Sequence, residues 1–275
     1  MQLFTAIIIA VLGACVGSFL SVIIHRLETK QKGIFFGKSM CPNCKKPLKW
    51  GHLIPVLSFL FLRGKCAYCK RRISRHYIMI ELLTAFLFTV IFLNWNFITA
   101  AQSTINPDFF SYSINWKTFT TCLFYLIEAA LMVGIFFYDL KYKIIPDSLS
   151  IPAILIALAF ALITGTPEIK SFGIALGIII IFFGGQILLS KGKWLGGGDL
   201  RLGALLAFLL GAKLLAVSLI ISYFIGALAS IALLLTKKAT RKTAIPFGPF
   251  LITGGLISLF FGEQILTLYF SSFSL

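Results

Sequence analysis

Two aspartates stand where long apolar segments meet polar loops, and side chains of this type can carry acid and base chemistry. Asp139 ends an apolar run and opens the stretch D-L-K-Y-K-I-I-P-D, which closes on Asp147. Asp199 follows three consecutive glycines, Gly196 to Gly198. An ionisable side chain near the bilayer core is costly and is by default a candidate functional residue. Two such carboxylates suggest one shared site.

Two carboxylates a few ångströms apart cannot both ionise cheaply, so one remains an acid while the other acts as a base. Such a pair can activate water and protonate a carbonyl oxygen or a leaving amine. The alternative is that each aspartate only caps a helix end. That structural role is the one we predict for Asp147, because Pro146-Asp147-Ser148 has the pattern of a helix start and an acid there complements the helix dipole.

A second set of residues has the spacing of metal ligands. Cys41 and Cys44 form one C-x-x-C pair, and Cys66 and Cys69 form another. Two such pairs can complete the tetrahedral sulfur set that Zn²⁺ prefers, and the surrounding lysines and arginines favour thiolates. Two reduced thiol pairs or two disulfides are the alternatives. We predict a structural Zn²⁺, because a small segment with few apolar runs needs a staple.

Two glutamates lie inside apolar segments and must face protein or water. Glu81 is near the start of the second segment, where it could contact the cysteine-bearing loop or a cofactor. Glu128 lies in the middle of the third segment, and for it we predict an interhelical hydrogen bond rather than chemistry.

The elements that position these residues are membrane helices. With 59% hydrophobic residues, 12% charged residues and a mean hydropathy of +0.96, the chain has too little polar surface to cover a soluble globule. A bilayer needs about 20 apolar residues per crossing helix. We predict an all-α polytopic protein with eight spans, at about residues 3–24, 77–98, 118–138, 148–165, 172–190, 200–212, 214–236 and 247–268.

The net charge of +16 follows the predicted topology and does not indicate nucleic-acid binding. Alternate loops carry nearly all the cations, and the positive-inside rule makes that face cytosolic. Both aspartate motifs fall on this face, and both termini fall on the other. The first apolar segment lacks a basic leader and a convincing cleavage site, so we predict a retained helix.

These observations predict three regions. Residues 1–24 form the first transmembrane helix, residues 25–76 form a cytosolic zinc-binding insertion, and residues 77–275 form the bundle that carries both aspartates. Two other function classes stay open at this point. A transporter would use Glu128, Asp139 and Asp199 as an ion relay, and a membrane-tethered zinc ribbon would use residues 25–76 as a docking module.

A wider set of motifs runs through most of the chain. These motifs are Gly17 to Leu20 with Arg26-Leu27, the four cysteines, Leu53 to Ser58, Arg63-Gly64, Ile73 to Arg75, Tyr77, Glu81, Asp139 to Asp147, Gly196 to Asp199 and Pro246 to Phe250. With them the chain resembles the bacterial type IV prepilin peptidases, which are membrane aspartic proteases of the G-x-G-D group. It departs from the family pattern at Ser21, Ile78 and Arg201.

The resemblance implies that Asp139 and Asp199 are the catalytic dyad of an endopeptidase. Asp147, Gly196, Gly198 and Arg201 would then support the dyad. The substrates would be type IV prepilins or pseudopilins, cut after the glycine of a short basic leader at the cytosolic face of the bacterial inner membrane.

The resemblance also implies a second reaction, which is methylation of the new N-terminal residue with S-adenosylmethionine as methyl donor. Glu81 is the candidate cofactor-binding residue for this reaction. The lipid bilayer is the second expected partner, and we expect no nucleic acid.

Overall fold

A computed structural model describes residues 2–29, 39–102, 110–193, 195–237, 240 and 243–273. Within these ranges the chain forms nine α-helices and one short antiparallel sheet. The helices are α1 (Gln2–Thr29), α2 (Leu57–Phe61), α3 (Arg75–Asn94), α4 (Trp116–Tyr142), α5 (Asp147–Thr164), α6 (Ile169–Ile179), α7 (Gly185–Ser190), α8 (Gly197–Leu235) and α9 (Gly248–Phe273). The strands are β1 (Ile98–Gln102) and β2 (Phe110–Ile114).

Seven helical segments of the described residues are long and apolar enough to cross a membrane. They are α1, α3, α4, α5, the segment Ile169–Ser190 that contains α6 and α7, α8 and α9. The all-α polytopic class is therefore confirmed. A five-residue π-helical turn, Ile180–Gly184, joins α6 to α7.

The longest helix accounts for two of the predicted spans. Helix α8 has 39 residues and is broken at Gly211, where φ is 68° and ψ is −179°. A Cβ at this position would lie 2.6 Å from Oγ of Ser171, and that oxygen accepts a hydrogen bond from the amide of Ala212 at 3.0 Å. Glycine therefore allows the break, and Ser171 satisfies an amide that the break exposes. Gly198 before the break and Gly226 after it both lie near the start of α9, so the chain turns back at Gly211. The two halves of α8 are the predicted spans 200–212 and 214–236.

The chain divides into two compact units, Met1–Gly134 and Ile135–Leu275. In the first unit α1 packs along α3, and small residues allow the two backbones to come close. A Cβ at Gly13 would lie 2.8 Å from Cα of Ala85, and a Cβ at Gly17 would lie 2.7 Å from Cα of Glu81. Any larger side chain at either glycine would force the helices apart.

The end of the second predicted span differs from the structure. Helix α3 ends at Asn94, and the chain then enters β1, which pairs with β2 from Ile98↔Ile114 to Gln102↔Phe110. The hairpin leads directly into α4, where Phe119 packs edge-on against Phe97 with ring centroids 5.0 Å apart. Phe97, which directly precedes β1, therefore packs against the start of α4.

In the second unit α8 packs against α5, α6 and α9. The contact between α8 and α9 is close because glycines of α9 face side chains of α8. A Cβ at Gly254 would lie 2.1 Å from Oγ of Ser222, and a Cβ at Gly255 would lie 2.5 Å from Cδ2 of Leu206. The tight packing fixes the starts of α8 and α9, which carry the candidate site.

Candidate active site and metal centre

Asp139 lies near the C-terminal end of α4 and is 4% exposed. Its carboxylate accepts a hydrogen bond from the backbone amide of Gly248, the first residue of α9. A Cβ at position 248 would lie 2.6 Å from Oδ2 of Asp139 and 3.3 Å from its Cγ. Only a glycine therefore leaves room for the carboxylate at the start of α9.

Asp199 lies in the first turn of α8, and its Oδ2 accepts a hydrogen bond from the amide of Gly196 at 3.2 Å. This bond satisfies one of the amides that a helix start leaves without an intrahelical partner. Gly198 packs against the loop that follows α4, because a Cβ there would lie 2.9 Å from Cβ of Ile145. Gly198 thus lets the start of α8 close on the segment that leads from Asp139 to Asp147.

The two carboxylates are brought to the same neighbourhood, although sixty positions separate them in the sequence. Gly248, which lies against the carboxylate of Asp139, and Gly198, which directly precedes Asp199, both pack on Ile145. Both belong to the unit Ile135–Leu275. Like charges at close range favour a state in which the pair holds one proton. The arrangement can therefore supply one base and one acid for hydrolysis.

Asp147 and Arg201 form an ion pair that joins the first turns of α5 and α8. Both side chains are partly exposed, with 61% and 40% of their surface accessible respectively. Asp147 is also the first residue of α5, where its charge complements the helix dipole. Arg201 lies within one helical turn of Asp199 along α8, so the pair ties the end of the loop between α4 and α5 to the start of α8.

Glu81 belongs to the first unit and is 8% exposed. Its Oε2 accepts the amide of Val56 at 2.7 Å, and its carboxylate also accepts a hydrogen bond from Ser18. Glu81 thus joins α3 to α1 and to the insertion between them.

Val56 adopts φ 60° and ψ −53°, and the amide of Leu57 bonds to the carbonyl of Pro55 at 2.6 Å. This is the classical γ-turn, a rare conformation that is strained for a β-branched residue. The buried carboxylate of Glu81 stabilises the turn by accepting its central amide.

The four predicted metal ligands form one cluster. The sulfur atoms of Cys41, Cys44, Cys66 and Cys69 lie within 4.8 Å of one another, and those of Cys41 and Cys69 are 4.0 Å apart. A tetrahedral Zn²⁺ with Zn–S bonds of about 2.3 Å needs sulfur atoms roughly 3.8 Å apart, so the cluster fits a metal ion with little adjustment. All four residues are free thiols.

The protein around the cluster stabilises the thiolate of Cys69, whereas burial and then the neighbouring Cys41 and Cys69 raise the pKa of Cys44 to about 11. Hydrogen bonds from the backbone at Arg71 and then from the side chain of Asn43 lower the pKa of Cys69 to about 6. Asn43 donates to Sγ of Cys69 at 3.6 Å, and its amide oxygen accepts from Arg71. The two knuckles are therefore also joined by a side-chain bridge outside the sulfur set, and the C-x-x-C spacing alone gave no signal of it.

The interhelical hydrogen bond expected for Glu128 is absent among the described residues. Glu128 is 1% exposed, and neither carboxylate oxygen has a hydrogen-bond partner within that part of the chain.

Sequence reasoning also left Gly248 without a specific role, although the motif Pro246 to Phe250 marked its neighbourhood. The available signal was the position of Gly248 between Pro246 and Pro249 at a helix start.

Comparisons with known proteins agree with the two-part organisation. A family model described as "Bacterial Peptidase A24 N-terminal domain" matches residues 11–95, and one described as "Type IV leader peptidase family" matches residues 126–231. No solved structure gives a significant match.

Curated relatives match over nearly their whole length, and three of them are each named "Prepilin leader peptidase/N-methyltransferase". The chain is 30% identical to the protein from Aeromonas hydrophila, over 94% of this chain and 91% of that one. It is 29% identical to the proteins from Bacillus subtilis (95% and 96% covered) and Pseudomonas aeruginosa (94% and 91% covered). This chain belongs to the prepilin leader peptidase/N-methyltransferase family.

Proposed function

We propose that this protein removes the leader peptide of type IV prepilins and pseudopilins and then methylates the new N-terminal residue. The observation that supports the proposal is the position of Asp139 and Asp199 at the ends of two membrane helices, beside glycines that both pack on Ile145. Relatives that match more than nine-tenths of the chain are named for both activities.

In the peptidase reaction the dyad holds one proton. The ionised aspartate takes a proton from water as the water attacks the scissile carbonyl, and the protonated aspartate gives its proton to the carbonyl oxygen. When the C–N bond breaks, the first aspartate passes its proton to the leaving amine and the second takes one back from a hydroxyl of the tetrahedral intermediate. The amide of Gly248 orients the carboxylate of Asp139, and the amide of Gly196 orients that of Asp199. No covalent acyl-enzyme forms, because water is the nucleophile.

In this proposal the supporting residues position the two aspartates and the substrate and do not themselves react. Gly196 leaves the start of α8 without a side chain, so a substrate backbone can approach Asp199, and Gly198 makes room for Ile145 of the loop that follows α4. The ion pair between Arg201 and Asp147 holds the start of α5 next to the start of α8. Positioning of this kind can supply a large part of a rate enhancement, because reacting groups must be aligned within a fraction of an ångström.

The methyl transfer is assigned to the first unit. S-adenosylmethionine supplies an electrophilic methyl group when bound, and the new N-terminal amine of the pilin is the acceptor. Glu81 is the acid of this region, and its Oε2 is already engaged by Val56. We therefore propose that Glu81 supports the S-adenosylmethionine site by holding segment 53–58 in place. It is not assigned a direct hydrogen bond with S-adenosylmethionine.

We assign a structural Zn²⁺ to Cys41, Cys44, Cys66 and Cys69. Four sulfur ligands fill a tetrahedral site and leave no open position for a substrate or water, so the metal stabilises the insertion and takes no part in hydrolysis. By the positive-inside rule, the insertion and the dyad face the cytosol at the bacterial inner membrane.

The proposal is tested by expressing the chain together with a type IV prepilin in cells that lack their own prepilin peptidase. Mass spectrometry of the recovered pilin distinguishes loss of the leader from addition of a single methyl group. We expect both mass changes with this chain and neither without it. A pilin that keeps its leader in the presence of the folded, membrane-inserted chain would contradict the proposal.

A further inference from the structure

Large apolar side chains on the insertion point away from the protein around the short helix α2. They belong to Trp50, Ile54, Leu57, Leu60 and Phe61, and we call this set the α2 apolar face. Trp50 and Phe61 are 90% and 83% exposed, and the other three are about half exposed. The 3₁₀ helix Trp50–His52 contacts α2, which brings the exposed Trp50 next to that helix. A patch of this kind facing water would be a site of association.

The depth of this face follows from the hydrogen bond between Val56 and Glu81. Glu81 lies six positions after Arg75, the first residue of α3, which places it about 9 Å along the helix. The apolar run of α3 begins just after Tyr77. Val56, which directly precedes α2, is therefore held at a level where α3 has already entered its apolar run.

Helix α1 gives the same depth independently. A Cβ at Gly17 would lie 2.7 Å from Cα of Glu81, so the two residues are level. The apolar run of α1 continues from Gly17 to Ile24, which is about 10 Å further along the helix. The turn at Val56 therefore lies inside the apolar ends of both neighbouring helices.

The charge of the same segment fits a membrane surface. Residues 39–75 contain nine Lys and Arg residues and no Asp or Glu. Arg63 and Lys65 come directly after α2, so the apolar side chains are followed at once by cations. Apolar and aromatic side chains next to cations are the pattern of segments that lie in the interface of a bilayer with anionic lipids.

We propose that the α2 apolar face is inserted in the bilayer interface, with anionic lipid headgroups bound by the basic residues beside it. The insertion is then a membrane-embedded wedge on α1 and α3, with the cysteine cluster carried beyond it. The occupant of this face is lipid, and the assignment does not depend on either proposed reaction.

The test uses Trp50 as a probe of its own surroundings. In the full chain, Trp95, Trp116 and Trp194 are replaced by phenylalanine, and the protein is placed in nanodiscs of phosphatidylcholine and phosphatidylglycerol. We expect lipids brominated on the upper acyl chain to quench Trp50 strongly and aqueous acrylamide to quench it weakly. A matched control carries Pro42→Trp with Trp50→Phe, because Pro42 is an exposed residue of the first cysteine knuckle. The control is expected to show the opposite pattern.

A second probe guards against a local effect of the substitutions. Phe61→Trp with Trp50→Phe places the fluorophore on α2 itself, and it is expected to respond to brominated lipid as Trp50 does. Free access of acrylamide to both probes, with no quenching by brominated lipid, would overturn the proposal. Shielding that appears only when a prepilin is added would also overturn it, because the face would then bind protein and not lipid.

Discussion

The amide of Gly248 donates to the carboxylate of Asp139, and the two residues are so close that a Cβ at position 248 would lie 2.6 Å from Oδ2. The start of α9 is thus fitted to a carboxylate at the end of α4. This relationship explains why position 248, between Pro246 and Pro249, is a glycine. It also makes the position of Asp139 sensitive to a single methyl group.

We expect Gly248→Ala to reduce leader cleavage by on the order of 100-fold, because the added methyl displaces the carboxylate from its place in the dyad. The matched control is Gly177→Ala on α6, where a Cβ meets no atom within 4 Å. The control should cleave at the wild-type rate. Equal activity of the two variants, measured by a gel-shift assay with a prepilin, would show that the contact has no catalytic role.

Asp147 and Arg201 are expected to matter less than the dyad. Both are partly exposed, and ion pairs of this kind contribute roughly 0–1 kcal/mol. Asp147→Asn and Arg201→Gln should each lower cleavage only a fewfold, and the double variant should be little worse than either single one. Complete loss of cleavage by a folded Asp147→Asn protein would require Asp147 to be counted among the catalytic acids.

The cysteine cluster is expected to hold about one zinc ion per chain. Cys69→Ser should lower the zinc content measured by elemental analysis and make the insertion more sensitive to protease, because the metal stabilises the fold there. Cys15→Ser is the control, since Cys15 lies in α1 outside the cluster. Active, fully reduced protein with no bound metal would contradict the assignment.

The two proposed reactions should be separable. Asp139→Asn should still transfer labelled methyl from S-adenosylmethionine to a pre-cleaved pilin peptide, because the dyad is not needed for that step. Glu81→Ala should lose methyl transfer and retain leader cleavage, because it releases the turn at Val56. Glu81→Gln keeps an acceptor for the Val56 amide and should retain more methyl transfer than Glu81→Ala. If Asp139→Asn also lost methylation while folded, a single shared site would replace the two-site account.

Much of this fold follows from the sequence because membrane helices are marked by their length and hydropathy. Each predicted span corresponds to a helix or to half of α8. The cysteine cluster could also be predicted from the sequence, because two C-x-x-C pairs are the usual ligand pattern of a four-cysteine metal site. The turn at Gly211 matches the predicted gap between two spans, because Gly198 before it and Gly226 after it both lie near the start of α9.

Close contacts between distant segments could not be predicted. The fit of Gly248 to Asp139 depends on how α9 starts relative to α4, and the strained turn at Val56 depends on a carboxylate in α3. Local preference would place a β-branched residue such as Val56 at negative φ. Tertiary hydrogen bonding decides otherwise, and no short-range pattern in the sequence records it.

The central claim is that Asp139 and Asp199 act as one catalytic pair. Its most direct test is leader removal from a co-expressed prepilin by Asp139→Asn and by Asp199→Asn, followed by mass spectrometry. Glu263→Gln is the matched control, because it neutralises an exposed carboxylate of α9, fifteen positions and about 22 Å along the helix from Gly248. We predict that either aspartate variant leaves the leader in place while inserting normally, since losing one member of a pair that acts together removes nearly all of its rate. Near-normal cleavage by either aspartate variant would contradict the account.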